Sequence, residues 1–97
     1  MSKSMLYVDF NEMLEPDLVL LSATNDKADI NGNKVLLSEG LQVIVYMDDM
    51  DDKGNPDNLI AVGVVERNHS SGWSSHVKWC CRIDNDGIRH MSEIRKI

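Results

Sequence analysis

From residue 41 the chain alternates with a period of two. Leu41, Val43, Val45 and Met47 fall on one side, and Gln42, Ile44, Tyr46 and Asp48 on the other. That is the signature of a strand with one face on a core, and the first set is expected to face inward. Residues 59–66 are apolar in both alternate sets, which predicts a central or strongly curved strand with a bulge or sharp bend at Gly63. Residues 77–83 alternate again, with Val77, Trp79, Cys81 and Ile83 inward and Lys78, Cys80 and Arg82 outward. Asn85-Asp86-Gly87 then turns the chain toward residues 88–91. A pairing of Ile83 with Ile88 would set Arg82 opposite Arg89 and Cys81 opposite His90. Ser92-Glu93-Ile94 reads as a final 3₁₀ turn.

The first third is less regular. Residues 5–8 read as a short strand, and Asp9 with Glu12 has capping-box spacing for one turn of helix near residues 10–15, ending before Pro16. Leu18-Val19-Leu20-Leu21 is an unbroken apolar run, as in a strand buried on both faces. Residues 23–33 are rich in turn formers, and Asn31-Gly32 predicts a hairpin from 18–22 or 28–30 into residues 34–37. No internal repeat or low-complexity tract stands out apart from an acidic loop at 48–58, expected to be long and mobile. The expected fold is all-β: a small, strongly bent antiparallel meander. A single domain is expected, with residues 1–34 as an extension and 35–97 as the meander.

The order Glu39-Gly40, Val43-x-Val45-Tyr46, acidic loop, Ala61-x-Gly63-x-Val65, polar loop, Val77-x-Trp79, turn, Ile88-x-His90 and Ser92-Glu93-Ile94 resembles the SH3-like small barrels. The resemblance covers residues 35–97 and implies a barrel of about five to six strands. Peptide-binding SH3 domains carry a dense aromatic row for proline-rich ligands, and this chain does not display one. The resemblance therefore implies a fold and leaves the ligand class open.

Size and charge narrow the function. Ninety-seven residues, 42% of them apolar and 27% charged, suit one compact domain. No apolar run is long enough for a membrane span or a signal segment, so a soluble, cytoplasmic protein is expected. Cys80 and Cys81 are adjacent in a strand and point to opposite faces, which disfavours a disulfide between them. The net charge is −6. Residues 1–58 carry twelve acids against four lysines, whereas residues 59–97 carry six bases against four acids. An acidic surface repels phosphates, so generic nucleic-acid binding is disfavoured.

Candidate sites follow from these patterns. Asp49, Asp51, Gly54 and Asp57 match part of a calcium loop, but Lys53 and Ile60 stand where ligands belong, so no metal is expected. A Cys81–His90 pair lacks any marked third group or oxyanion site, and no enzyme, catalytic residue or cofactor is expected. Tyr46, Trp73, Lys78, Arg82 and Arg89 remain as a surface of aromatics beside a basic stripe, suited to a protein partner. The alternative is an acidic inhibitor or immunity-type protein that neutralises a basic partner through Asp48, Asp49, Asp51, Asp52 and Asp57.

Overall fold

A computed structural model describes residues 3–94. The strands in chain order are β1 (Ser4–Tyr7), β2 (Met13–Glu15), β3 (Leu18–Ser22), β4 (Asp26–Ala28), β5 (Lys34–Leu36), β6 (Gln42–Met47), β7 (Leu59–Arg67), β8 (Trp79–Ile83) and β9 (Arg89–His90). A 3₁₀ turn spans Gly72–Ser74, and one helical turn, α1, spans Met91–Ile94. The all-β class is as expected. Among the described residues no helix is long and apolar enough to cross a membrane.

Seven strands form one sheet in the order β1-β6-β7-β8-β3-β2, with β9 pairing β7 beside that path, while β4 and β5 form a separate hairpin. Residues 1–34, expected as an extension, supply three strands of the main sheet. β1 runs parallel to β6, so the sheet is mixed rather than purely antiparallel. β7 occupies one edge of β6 and the N-terminal strand fills the other.

β1 and β2 lie at opposite ends of the strand order yet are joined only by residues 8–12, so the sheet must curl until its edges approach. Among the described residues no ladder joins them, and the sheet is not a closed barrel. The curl encloses the core: Leu6, Val19, Val43, Val45, Val65 and Cys81 are fully buried, with Phe10, Met13, Val35 and Leu41 packed against them. Each such aliphatic side chain contributes roughly 1.5–3 kcal/mol by leaving water.

Four expectations need correction. No helix forms near residues 10–15: Glu12 N donates to Asp9 O and Asn11 N to Asp9 Oδ1, both at 2.9 Å, which makes one turn before β2. Gly63 makes no bulge, since it pairs in register with both Val43 and Ile83. Its role is close approach: a Cβ there would stand 2.5 Å from Arg82 O and from Cys81 Sγ. The third correction concerns the last strand. β8 already has β7 on one edge and β3 on the other, so β9 cannot pair with it. Instead β9 adds to the far end of β7, with Leu59 opposite His90 and Ile60 opposite Arg89. Cys81 therefore lies opposite Val65 and Val19, and the Cys81–His90 and Arg82–Arg89 pairs do not form.

The fourth correction is the acidic segment, which is a hydrogen-bonded arm rather than an open loop. Asp57 N donates to Asp49 O, Met50 and Pro56 form a bridge, and Asp51 N donates to Asn55 O at 2.9 Å. Its tip repeats the turn of the β4–β5 hairpin. Asp29-x-x-Gly32-Asn33 and Asp51-x-x-Gly54-Asn55 are both closed by the aspartate Oδ1, which accepts two backbone N–H groups at 2.9 Å. The glycines take positive φ, 85° and 80°, as a three-residue hairpin loop requires.

Candidate functional site

The outer face of the sheet can be read row by row from the strand register. Tyr7, Tyr46, Ile60 and Arg89 form one row across β1, β6, β7 and β9. Met5, Ile44 and Val62 form the next. Gln42, Val64, Arg82 and Leu18 follow on β6, β7, β8 and β3, and then Glu66, Cys80 and Leu20. Tyr7 and Tyr46 meet edge to face, with ring centroids 5.6 Å apart. Tyr7 is 45% exposed and Val64 38%, and the apolar side chains between them are half-buried.

The same face is sealed at its other end. Leu18, Leu20 and Cys80 are buried there, with Leu14 and Val77 packed over them. Between the two ends lies Arg82. Its guanidinium grips Glu66 through Nη2 and Nε, at 2.9 and 3.3 Å. Nη1 reaches Asp17 at 2.8 Å and Glu15 at 3.1 Å. The hydrogen bonds that Arg82 donates to Glu66 above all hold it firmly charged. With its donors spent on three carboxylates, Arg82 organises the face and is not free to receive an anion.

The five residues expected as one binding set do not meet. Tyr46 and Arg89 share a row, separated by Ile60. Arg89 has only Asp86 as an ion-pair partner among the described residues, at 4.0 Å, and its buried Nε has no acceptor. Lys78 lies at the opposite end, where its Nζ and the Arg67 guanidinium each sit 5.7 Å from the Trp79 ring centroid. Trp73 is in the loop beyond. Ile60 and Arg67 are seven residues apart on β7, roughly 23 Å at the strand rise, so one compact site cannot hold Tyr46 and Lys78 together.

The acidic arm is also partly committed. Asp51 closes its own turn. Asp49 Oδ2 binds His90 Nε2 at 2.9 Å, and the other ring nitrogen of His90 lies 3.3 Å from Glu93. Carboxylates only accept, so both contacts are hydrogen bonds together only when His90 carries a proton on each nitrogen. The hydrogen bond to Asp49 raises the His90 pKa and holds Asp49 below the usual carboxylate range. Asp57 accepts from Ser92 Oγ at 2.7 Å and Ser92 N at 3.0 Å, and these bonds lower its pKa. Asp48 and Asp52 remain exposed.

The two carboxylates on His90 sit at opposite ring nitrogens, which cannot serve one ion. Among the described residues no group of three His, Cys, Asp or Glu has the geometry to hold a metal. Burial pushes the Cys80 thiol up to about 11 and the Cys81 thiol up to about 12, which leaves both as thiols with little nucleophilic character.

Sequence reasoning missed Met5, Tyr7, Ile44, Ile60, Val62 and Val64 as a surface. A signal was present, because residues 59–66 are apolar in both alternate sets and Ile44 and Tyr46 interrupt the polar side of residues 41–47. What the sequence lacks is the register that joins them. Comparison with protein-family models, with curated proteins and with solved structures gives no match.

Proposed function

We propose that the protein is a non-enzymatic interaction module that docks another protein on the open half of its outer sheet face. Met5, Tyr7, Ile44, Tyr46, Ile60 and Val64 would make the apolar contact. Arg89 would stand at the rim. One observation carries the reading: the protein covers one end of this face with its own Leu14 and Val77 and, among the described residues, leaves the apolar side chains of the other end half-buried to exposed. Contiguous apolar surface of that kind marks interaction sites more often than scattered exposed residues do. The partner surface is apolar with a carboxylate beside it, because the half-exposed Arg89 side chain has, among the described residues, only a distant aspartate. In this reading the curled sheet is an SH3-like small barrel left open between β1 and β2. It works in the cytoplasm, where two free cysteines stay reduced.

The acidic-arm alternative has less to draw on, since Asp49, Asp51 and Asp57 are occupied within the chain. Quantitative affinity capture separates the two. Proteins recovered by the wild type are expected to fall on the order of tenfold with Tyr46→Lys/Ile60→Lys, and to hold with Asp48→Asn/Asp52→Asn. Circular dichroism and thermal unfolding check that both variants are folded. The reverse pattern, loss with the aspartate pair and retention with the lysine pair, overturns the sheet-face reading.

A further inference from the structure

The chain has two tryptophans in opposite circumstances. Trp79 is buried on the core, whereas Trp73 is 64% exposed. An indole left in water on a flexible loop would be unremarkable, but this loop is pinned. Asn68 uses its whole side-chain amide: Nδ2 donates to Ser74 O and Val77 O at 2.9 Å, while Oδ1 accepts from Ser70 N at 2.9 Å and Ser70 Oγ at 2.7 Å. Ser74 is buried, and its hydroxyl meets that of Ser70 at 2.5 Å. Asn68 N donates to Lys78 O, which closes the base of the loop. Gly72, with φ 86°, opens the 3₁₀ turn in a conformation that a side chain would disfavour. The turn is built before any partner arrives, so presenting the indole costs little further ordering.

Charge within the loop segment itself is also one-sided, and acids stand only on its flanks. Residues 67–83 contain Arg67, His69, His76, Lys78 and Arg82 and no acid, in a chain whose net charge is −6. Glu66 and Glu15, on one flank, are held by Arg82. Asp9 and Glu12 lie on the other flank, across a cleft that His76 and Lys27 also line. Arg67 and Lys78 stand at the base, fixed over the Trp79 ring.

We propose that the Trp73 loop is a second binding site, independent of the open sheet face, which seats its indole in an apolar slot of an acidic protein surface. An anionic bilayer would take a similar combination of indole and cations. The chain is poorly matched to one, because a single aromatic residue and a net negative molecule give little adsorption to a uniformly anionic plane. A local carboxylate cluster needs only the local cations, which act within a Debye length.

The experiment selects a random peptide display library on the immobilised full chain and then measures the enriched peptides by fluorescence anisotropy. The expected result is a consensus with Asp or Glu beside apolar residues and affinity that falls with added salt. Trp73→Ala is expected to weaken binding on the order of tenfold or more, and Lys78→Gln several-fold. Tyr46→Lys/Ile60→Lys should leave it unchanged, which keeps this site distinct from the sheet face. Peptides without acidic bias, or bound equally by Trp73→Ala, overturn the proposal. So does a Trp73-dependent emission shift on vesicles of anionic phospholipid with no peptide enriched for this loop.

Discussion

The two ends of the outer sheet face are made of the same kind of residue and end in opposite states. At one end Leu18, Leu20 and Cys80 are closed over by Leu14 and Val77. At the other, the rows Tyr7–Tyr46–Ile60 and Met5–Ile44–Val62 are half-buried to exposed, with the β4–β5 turn beside Met5 and Ile44. Hydrophobicity does not separate them. Connectivity does: Leu14 of β2 and Val77 at the end of the 68–77 loop pack over the first end, whereas the residues of the second end belong to no buried cluster among the described residues. Apolar side chains at the sealed end are therefore chiefly a matter of stability, and those at the open end are the ones the proposed function assigns to recognition.

Gly63 is the point where the two ends join, since it pairs with β6 on one side and β8 on the other. Gly63→Ala is expected to be the most damaging single change. Its Cβ would meet a backbone oxygen and a buried sulfur at 2.5 Å, and neither is the free end of a flexible side chain. Forcing β7 and β8 apart should cost roughly 3 kcal/mol or more. Urea denaturation should show either a sharply lowered midpoint or no folded baseline.

A matched pair of truncations tests the contrast directly. Leu20→Ala removes side-chain volume from the sealed end, where the residue is 6% exposed, and should cost about 2–4 kcal/mol. Ile44→Ala, half-buried at the open end, should cost about 1 kcal/mol. Equal losses would show that the open end is as much a part of the folding core as the sealed one.

Arg82 divides the ends, and its removal should matter less than its many bonds suggest. Its side chain is 34% exposed and Glu15, Asp17 and Glu66 are 54%, 50% and 32% exposed, so solvent screens the whole cluster. Arg82→Ala is expected to cost about 1 kcal/mol, and less at high salt. A loss several times larger, insensitive to salt, would mean that the cluster behaves as a buried network.

Much of this was legible in the residues. The alternation of 41–47 and 77–83 located β6 and β8; of the residues it assigned inward, Val43, Val45, Trp79, Cys81 and Ile83 are buried, Leu41 packs half-buried against them, and Val77 packs instead on the outer face with Cys80. Local chemistry was legible too. Asp29, Asp51 and Asp84 each begin an Asp-x-x-Gly turn in which the aspartate Oδ1 accepts from the backbone N–H two residues on. The first two continue into asparagine and close hairpins. The third continues into Ile88, and its chain crosses to β7, because β3 holds the edge of β8 that a hairpin would have used. That occupancy depends on a pairing across more than sixty residues of sequence, which no local pattern encodes. The same holds for Arg82, whose partners Glu15 and Asp17 arrive from the far end of the chain.

The smallest expected effect is a change with pH at the edge of the open end, where β9 and α1 are fastened to the acidic arm. The His90 pKa is raised above its ordinary 6.5, chiefly by the bond to Asp49. A raised pKa means that the contribution is full below 6.5 and is lost as pH rises through the folded value. Asp49 and Asp57 are lowered from 3.8, so theirs is full above 3.8 and is lost as pH falls through the depressed values. The fastening is therefore complete between pH 3.8 and 6.5 and loosens on either side. The Met91 amide, bound to Asn58 O, and the Ser92 amide, bound to Asp57 Oδ1, report on it directly. Their protection from hydrogen exchange, corrected for intrinsic rates, should fall as pH is raised past the titration of His90, while the amides of β6 hold theirs. His90→Asn should abolish that step. If the step persists in the variant, or if β6 loses protection together with Met91 and Ser92, the segment is part of the cooperative fold and the open end has no separately adjustable edge.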